Sequence, residues 1–220
     1  MTHKLATLSF DDGTWTDIRF AKSLREMKIP ATFYLPSEYL DMFHYQMRPS
    51  EIRKVYAGFE VGSHSRWHSH PDDFRKTLEV ASKDGEWDIR YAREYLQEFF
   101  GREVRCHSYP FGVVRWRPNF PSLAEAVETQ GFDFARMMMR SRQEVERPID
   151  RYRMKITAEL PVDFDDIGEH EAVHLVGHSF RLVKQNEEAS VFELIKDMKR
   201  NGFEFMTNHD FFTETWANHE

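Results

Sequence analysis

The chain is poor in cysteine. Cys106 is alone among 220 residues, so no intrachain disulfide can form and the core itself must hold the fold. A single thiol is compatible with a reducing compartment. No stretch approaches the roughly 18 consecutive apolar residues of a membrane-spanning helix, which excludes a helical span. Positive charge is also short: 30 Lys and Arg face 37 Asp and Glu, leaving a formal charge of −7. That balance argues against nucleic-acid phosphates and anionic membrane surfaces as partners. There is no internal repeat, low-complexity tract or linker. Met1-Thr2-His3-Lys4 runs directly into an apolar segment with no room for a signal peptide, so the expected location is cytoplasmic.

Aromatic mass is plentiful. Nineteen Phe, eight Tyr and five Trp supply bulk for one substantial core, and α/β barrels reach this length as one domain spanning residues 1–220. Strand and helix signals alternate along the chain. Strands are predicted over Leu5–Phe10, Ala31–Leu35, Phe59–Val61, Val104–Ser108, Phe132–Met138, Arg151–Ile156, Ala172–Val176 and Phe203–Met206. Between them lie a helix carrying Ile18, Ala21, Leu24 and Met27, one from Pro49 to Tyr56, and one from Leu78 to Phe100 bent or broken at Gly85. Pro121–Gln130, closed by Gly131, and Val191–Lys199 complete the helices. Met137, Met138 and Met139 read as core or groove lining. Residues 140 to 170 are the least regular and form an expected variable loop over the site. The alternation predicts a parallel sheet with helices outside, and such sheets build their sites at the C-terminal ends of the strands.

Four strand ends carry chemistry. Ser9-Phe10-Asp11-Asp12-Gly13 follows an apolar run, and adjacent residues leaving a strand point in different directions. One carboxylate can therefore bind a metal while the other acts as a base; the plain alternative is a polar Asp-Gly turn. In Glu60-Val61-Gly62-Ser63-His64-Ser65-Arg66-Trp67-His68, Gly62 permits a sharp exit from a strand, and one helical turn would put His64 and His68 on the same side. Two imidazoles and one carboxylate make a metal site with positions left open for water and substrate, a donor set suited to Zn²⁺. Cys106-His107-Ser108-Tyr109-Pro110-Phe111-Gly112 ends another strand in an aromatic turn that should place Tyr109 and Phe111 beside a groove. His174-Leu175-Val176-Gly177-His178 delivers His178 at a strand end, and its unperturbed pKa near neutrality suits a proton donor.

These segments, in this order, resemble the polysaccharide deacetylases of carbohydrate esterase family 4, over about residues 5 to 210. The resemblance implies a distorted (β/α) barrel of about seven parallel strands with a surface groove. It implies a metal-dependent hydrolase that removes acetyl groups from N- or O-acetylated carbohydrate. Ser9–Gly13 matches the first motif, making Asp11 the catalytic base and Asp12 a metal ligand. His64–His68 matches the second, adding His64 and His68 as ligands with Ser65 bracing the loop. Tyr109, Pro110, Phe111 and Gly112 match the third and would line the groove and offer a backbone N–H to the oxyanion. Leu175–His178 matches the fifth, making His178 the general acid.

Departures leave alternatives open. Where many family members carry an Arg in the third motif to orient the base, this chain has Ser108; Arg136, in another strand, either reaches the site instead or is a surface charge. The Asp that polarises the acid could be Asp150, Asp163, Asp165 or Asp166. His70 competes with His68 as a ligand, and the four-residue spacing favours His68. Two His and a carboxylate also serve non-haem iron(II) oxygenases, although those need no adjacent Asp base. A silent carbohydrate-binding relative and an amide hydrolase for a small non-sugar molecule complete the field.

Overall fold

Strand β1 (Lys4–Asp11) alternates Ala6, Leu8 and Phe10 with Thr7, Ser9 and Asp11, and all six side chains are buried. Burial on both faces is what a parallel sheet with covered faces requires. The structure, a computed structural model, describes residues 4–40, 47–68, 78–112, 123–137, 151–152 and 154–216. His70, Asp150, Met138, Met139 and the irregular stretch up to residue 150 lie outside the described residues, as does the expected helix start at Pro121.

Around β1 stand β2 (Thr32–Leu35), β3 (Glu60–Ser63), β4 (Cys106–Ser108), β5 (Phe134–Met137), β6 (Met154–Lys155), β7 (Ala158–Glu159), β8 (Ala172–Gly177) and β9 (Phe203–Met206). Their order is β6-β5-β4-β3-β2-β1-β8-β7, with β9 on the first half of β1 and every pairing parallel. No ladder joins β6 to β7 among the described residues, so the sheet curves into an open half-barrel, the distorted barrel form expected. Two of the nine strands are two-residue pieces. The expected strand over Arg151–Ile156 shrinks to β6 because Arg151 and Tyr152 form a turn.

The helices are α1 (Asp17–Met27), α2 (Pro49–Val55), α3 (Leu78–Phe100), α4 (Leu123–Thr129), α5 (Phe164–Ile167), α6 (Ser179–Gln185), α7 (Glu188–Arg200) and α8 (Asn208–Trp216). Helix α3 runs unbroken through Gly85, contrary to the expected bend, since one glycine costs a helix only about 1 kcal/mol. In α1 Ala21 and Leu24 are buried and Met27 packs against the core as expected, Phe20 joins them, and Ile18 alone of the expected face is exposed.

Two apolar layers result. Ala6, Leu8 and Phe10 join Phe20, Phe33, Tyr56 and Val61 between sheet and helices. The concave face holds Tyr34, Cys106, Phe134, Met154, Met206, Phe211 and Phe212, the last two from α8. Gly62 lies on β3, where an added Cβ would fall 2.4 Å from the Tyr34 ring and 2.8 Å from Cys106 Sγ. Its role is therefore to let the tyrosine cross the strand, not to provide the sharp exit expected. No helix among the described residues is long and apolar enough to cross a membrane.

Candidate active site

The C-terminal ends of β1, β3, β4, β5 and β8 bring the chemistry together. Asp11 ends β1 in register with Tyr34, and the turn behind it forces Asp12 to φ 79° and Gly13 to φ 62°. A side chain at Gly13 would meet Leu35 Cδ2 at 2.9 Å, so conformation and space both favour glycine there.

Asp11 is 3% exposed and is held from two strands. Arg136 on β5 donates from Nη2 to its Oδ1 at 2.5 Å, and Ser108 Oγ donates to Oδ2 at 3.5 Å. The same Arg136 nitrogen donates to Ser108 Oγ at 2.8 Å. Arg136 is therefore no surface charge: it is buried, with its guanidinium 4.9 Å from the Tyr34 ring centre. Burial pushes the Asp11 pKa up, but the charges of Arg136, His64 and His178 outweigh it and hold the carboxyl below its usual value.

His64 and His68 are not on a helix. Residues 64–68 form a loop in which Ser65 (φ 65°) and His68 (φ 53°) adopt the left-handed region. The loop is pinned on every side. Ser65 Oγ accepts from His68 N at 3.0 Å, as the bracing role anticipated, and Asp88 Oδ2 of α3 accepts from Arg66 N at 3.1 Å. Arg66 Nε donates to Glu38 at 2.6 Å, and Ser37 and Glu38 N–H groups donate to the loop carbonyls. His64 Nδ1 donates to the Ser108 carbonyl at 2.7 Å, which turns Nε2 toward the carboxylates.

Asp12 Oδ1 lies 3.5 Å from His64 Nε2 and 3.2 Å from His68 Nε2, and the three donor atoms fall within 4.8 Å of one another. Asp12 Oδ1 is buried with no hydrogen-bond partner. An orphaned carboxylate oxygen facing two imidazole nitrogens is the donor arrangement of an open divalent-metal site, and the residues fit such an ion. Burial raises the Asp12 pKa, but the polar contact with His64 and the charges of His64, His178 and His68 bring it down to about 2. Burial, reinforced by the His64 charge, lowers His68 to about 4, so its imidazole is neutral and able to ligate.

Among the described residues, six other than glycine have positive φ: Asp12, Lys28, Ser65, His68, Phe111 and Asn186. Lys28 and Asn186 terminate helices; the other four all belong to this site. Local backbone strain gathers where the donors are held.

The aromatic turn behaves differently from the expectation. Only Phe111 faces the site, its ring 4.7 Å from that of His68. Tyr109, Pro110 and Gly112 are buried, and Tyr109 packs in the main core with its hydroxyl donating to the Tyr152 carbonyl at 3.0 Å. Strand alternation is the reason. Cys106 and Ser108 face the concave side, so His107 and Tyr109 face the helices, their rings 5.0 Å apart. Tyr109 N–H is spent on Arg136 O, Gly112 N–H on Tyr109 O, and Pro110 has none, so the backbone donors expected there for an oxyanion are largely committed.

His178 caps α6, its Nε2 3.8 Å from Asp12 Oδ2. The carboxylate beside its Nδ1 is Glu159, at 3.3 Å, which also lies 3.4 Å from Arg181. None of Asp163, Asp165 and Asp166 pairs with His178 among the described residues. Glu159 wins because β7 pairs with β8 in the register Glu159↔Val176, just before the histidine. A two-residue strand carries no periodic signal, so the sequence did not reveal it.

Behind the donors a buried polar network ties the two loops together. Thr14, Thr16 and Ser179 hydroxyls lie 2.6–3.0 Å apart, and Ser179 donates to Asp17, which also accepts from Tyr56. The turn after Asp12 is thus bonded to the helix after His178. In front of the donors opens a cavity of ≈ 260 Å³ lined by Asp12, Thr14, Trp15, Tyr39, His68 and Phe180. Sequence reasoning singled out neither the network nor Trp15, Tyr39 and Phe180.

The geometry has counterparts among known proteins. No curated protein sequence matches the chain. Solved structures share its fold at low identity. Peptidoglycan deacetylase PdaC from Bacillus subtilis superposes with a TM-score of 0.63 at 16% identity, over 99% of this chain and 94% of that one. A carbohydrate-esterase-4 domain of a multidomain xylanase from the hindgut metagenome of Trinervitermes trinervoides gives 0.64 at 17%, over 96% and 91%. A pseudoenzyme of that carbohydrate esterase family from Bacillus anthracis gives 0.63 at 15%, over 94% of this chain and only 65% of that one. The polysaccharide deacetylase family model matches residues 1–130, which include the Asp-Asp-Gly turn, the His64–His68 loop and the Phe111 turn. On that match, more than half its length, the chain belongs to the polysaccharide deacetylase family.

Proposed function

We propose that this chain is a metal-dependent hydrolase that removes acetyl groups from N- or O-acetylated carbohydrate. The carrying observation is a three-donor set, Asp12, His64 and His68, flanked by an Arg136-held Asp11 on one side and His178 on the other. A divalent ion held by those three residues, Zn²⁺ by the chemistry of the donors, supplies Lewis acidity and a water of lowered pKa.

The chain's own residues supply the proton traffic. Asp11, ionised and buried, accepts a proton from the water that attacks the acetyl carbon. Arg136 and Ser108 fix the carboxylate so that little reorganisation accompanies the transfer. His178 Nε2 faces the donor set and gives its proton to the departing nitrogen, or to the departing oxygen of an ester. Glu159, 3.3 Å from Nδ1, stands on the far side of the ring from the donor set. Phe111 and the Trp15 side of the cavity wall the substrate in. Acetate and the free amine or alcohol leave.

A silent carbohydrate binder is the second reading, because the same fold includes a pseudoenzyme. Arg136 beside Asp11 speaks for catalysis: the charge absent at Ser108 is supplied from the neighbouring strand. Acetate release from N- and O-acetylated sugars and small cyclic amides, with metal added, tests the proposal. Turnover of acetylated sugars supports it. Turnover of cyclic amides alone would move the chain to small-molecule hydrolysis, and stoichiometric sugar binding without acetate would make it a binder.

A further inference from the structure

The cavity beside the donors has features that proton transfer does not explain. Trp15 is 57% exposed, an indole left in solvent at the edge of a site. Its backbone is nonetheless fixed. Thr14, directly before it, belongs to the buried hydroxyl network, the Thr14 carbonyl accepts from Asp17 N at 2.9 Å, and the Trp15 carbonyl accepts from Ile18 N at 3.3 Å. A large apolar side chain held on a rigid turn is preorganised to cover something. Tyr39 and Phe180, both half-buried, supply further walls, and Tyr39 lies 6.5 Å, ring to ring, from His68.

Charge and size narrow the occupant. Among the described residues the lining includes no Lys or Arg, and its ionisable groups apart from Tyr39 are Asp12 and His68, which belong to the donor set. An uncharged ligand fits such walls away from the donor set. Drug-sized ligands occupy roughly 300–1,000 Å³, and this cavity measures ≈ 260 Å³. That is room for one ring and its substituents. Because Asp12 and His68 form one side of the same cavity, a ring seated there carries its acyl group directly to the donors.

Resting on the deacylase reading above, we propose that the cavity seats a single uncharged six-membered ring against the Trp15 indole. Specificity is then set by the ring bearing the acyl group and owes little to its neighbours in a chain. Aromatic faces suit the CH-lined face of a pyranose, and one such contact adds about 0.5–1.5 kcal/mol beyond area burial.

The test compares the methyl glycoside of an N-acetylated hexosamine with ring-free N-acetylethanolamine, using metal-loaded enzyme. Trp15→Ala is expected to raise KM for the glycoside about tenfold with kcat near the parent value, and to affect the ring-free substrate far less. Trp15→Phe should recover most of the loss, while Trp87→Ala, at an exposed tryptophan outside the cavity, should change neither. An N-acetylated trimer distinguishes a free ring from the terminal ring of a chain. A gain in kcat/KM above about tenfold over the monomer would overturn the one-ring assignment. Saturation-transfer NMR of the glycoside with parent and Trp15→Ala protein gives a readout apart from turnover. Trp15-dependent binding without acetate release would sink the reaction but keep the ring site. Acetate release from both substrates with equal sensitivity to Trp15→Ala, or none, would sink the ring site but keep the reaction.

Discussion

Arg136 and Asp11 lie 125 residues apart in the chain, and Arg136 Nη2 sits 2.5 Å from Asp11 Oδ1 with both side chains buried. The contact crosses the concave face, with Ser108 between the two strands accepting from the same guanidinium. A charge absent from β4 is thereby delivered from β5.

That relay makes a swap informative. Arg136→Ala leaves a buried carboxylate uncompensated, a change that typically costs 3–5 kcal/mol of stability. It also lets the Asp11 pKa rise, because burial then acts with less opposition. Activity needs Asp11 ionised, so the acidic limb of kcat/KM should move to higher pH. Adding Ser108→Arg should move it back. An unshifted limb in Arg136→Ala would show that the guanidinium does not hold the base.

One divalent ion per chain is expected by elemental analysis of metal-loaded protein. His64→Ala and His68→Ala should each abolish stoichiometric binding, since three donors leave no redundancy. His70→Ala should retain it. Loss of the ion in His70→Ala with retention in His68→Ala would reverse the assignment of the ligand.

Asp11→Asn should keep the metal yet lose on the order of 10²–10⁴ in rate, the usual worth of a positioned proton-transfer group. His178→Ala should depress amide turnover more than that of activated esters, whose leaving groups scarcely need a proton. Because Asp11 must be ionised to act as base, kcat/KM should fall on the acid side. Parent-like turnover by Asp11→Asn would reduce Asp11 to a turn residue.

Asp17 should give stability an inverse pH dependence. Burial pushes its pKa from 3.8 up to about 7, against the opposing hydrogen bonds from Ser179 and Tyr56. The folded state therefore holds a proton that the unfolded chain releases. The resulting stability is complete below pH 3.8 and is lost as pH rises through about 7, on the order of 4 kcal/mol in all. Denaturant unfolding of the parent and Asp17→Asn at pH 4 to 8 measures it as a difference. The parent's margin should shrink toward neutrality, and a constant difference would refute the shift.

The sequence by itself determined where the candidate donors gather. Asp11-Asp12-Gly13, His64 to His68 and His178 were legible because each follows an apolar strand, and strand ends in parallel sheets are where such groups meet. Strand-and-helix alternation likewise carried the fold, since hydrophobic periodicity is a local property. What the sequence could not decide depended on which strand lies beside which. Arg136 became the partner of Asp11 only because β5 pairs with β4 in the register Ser108↔Arg136. Glu159 displaced the three described aspartates, Asp163, Asp165 and Asp166, because a two-residue strand docks on β8. Gly62 proved to be space for Tyr34. Tyr109 turns into the core by the strand alternation it shares with Ser108, against the groove position its turn motif implies. Each of these outcomes is a contact across the sheet, and register between distant strands is set by packing that no local pattern encodes.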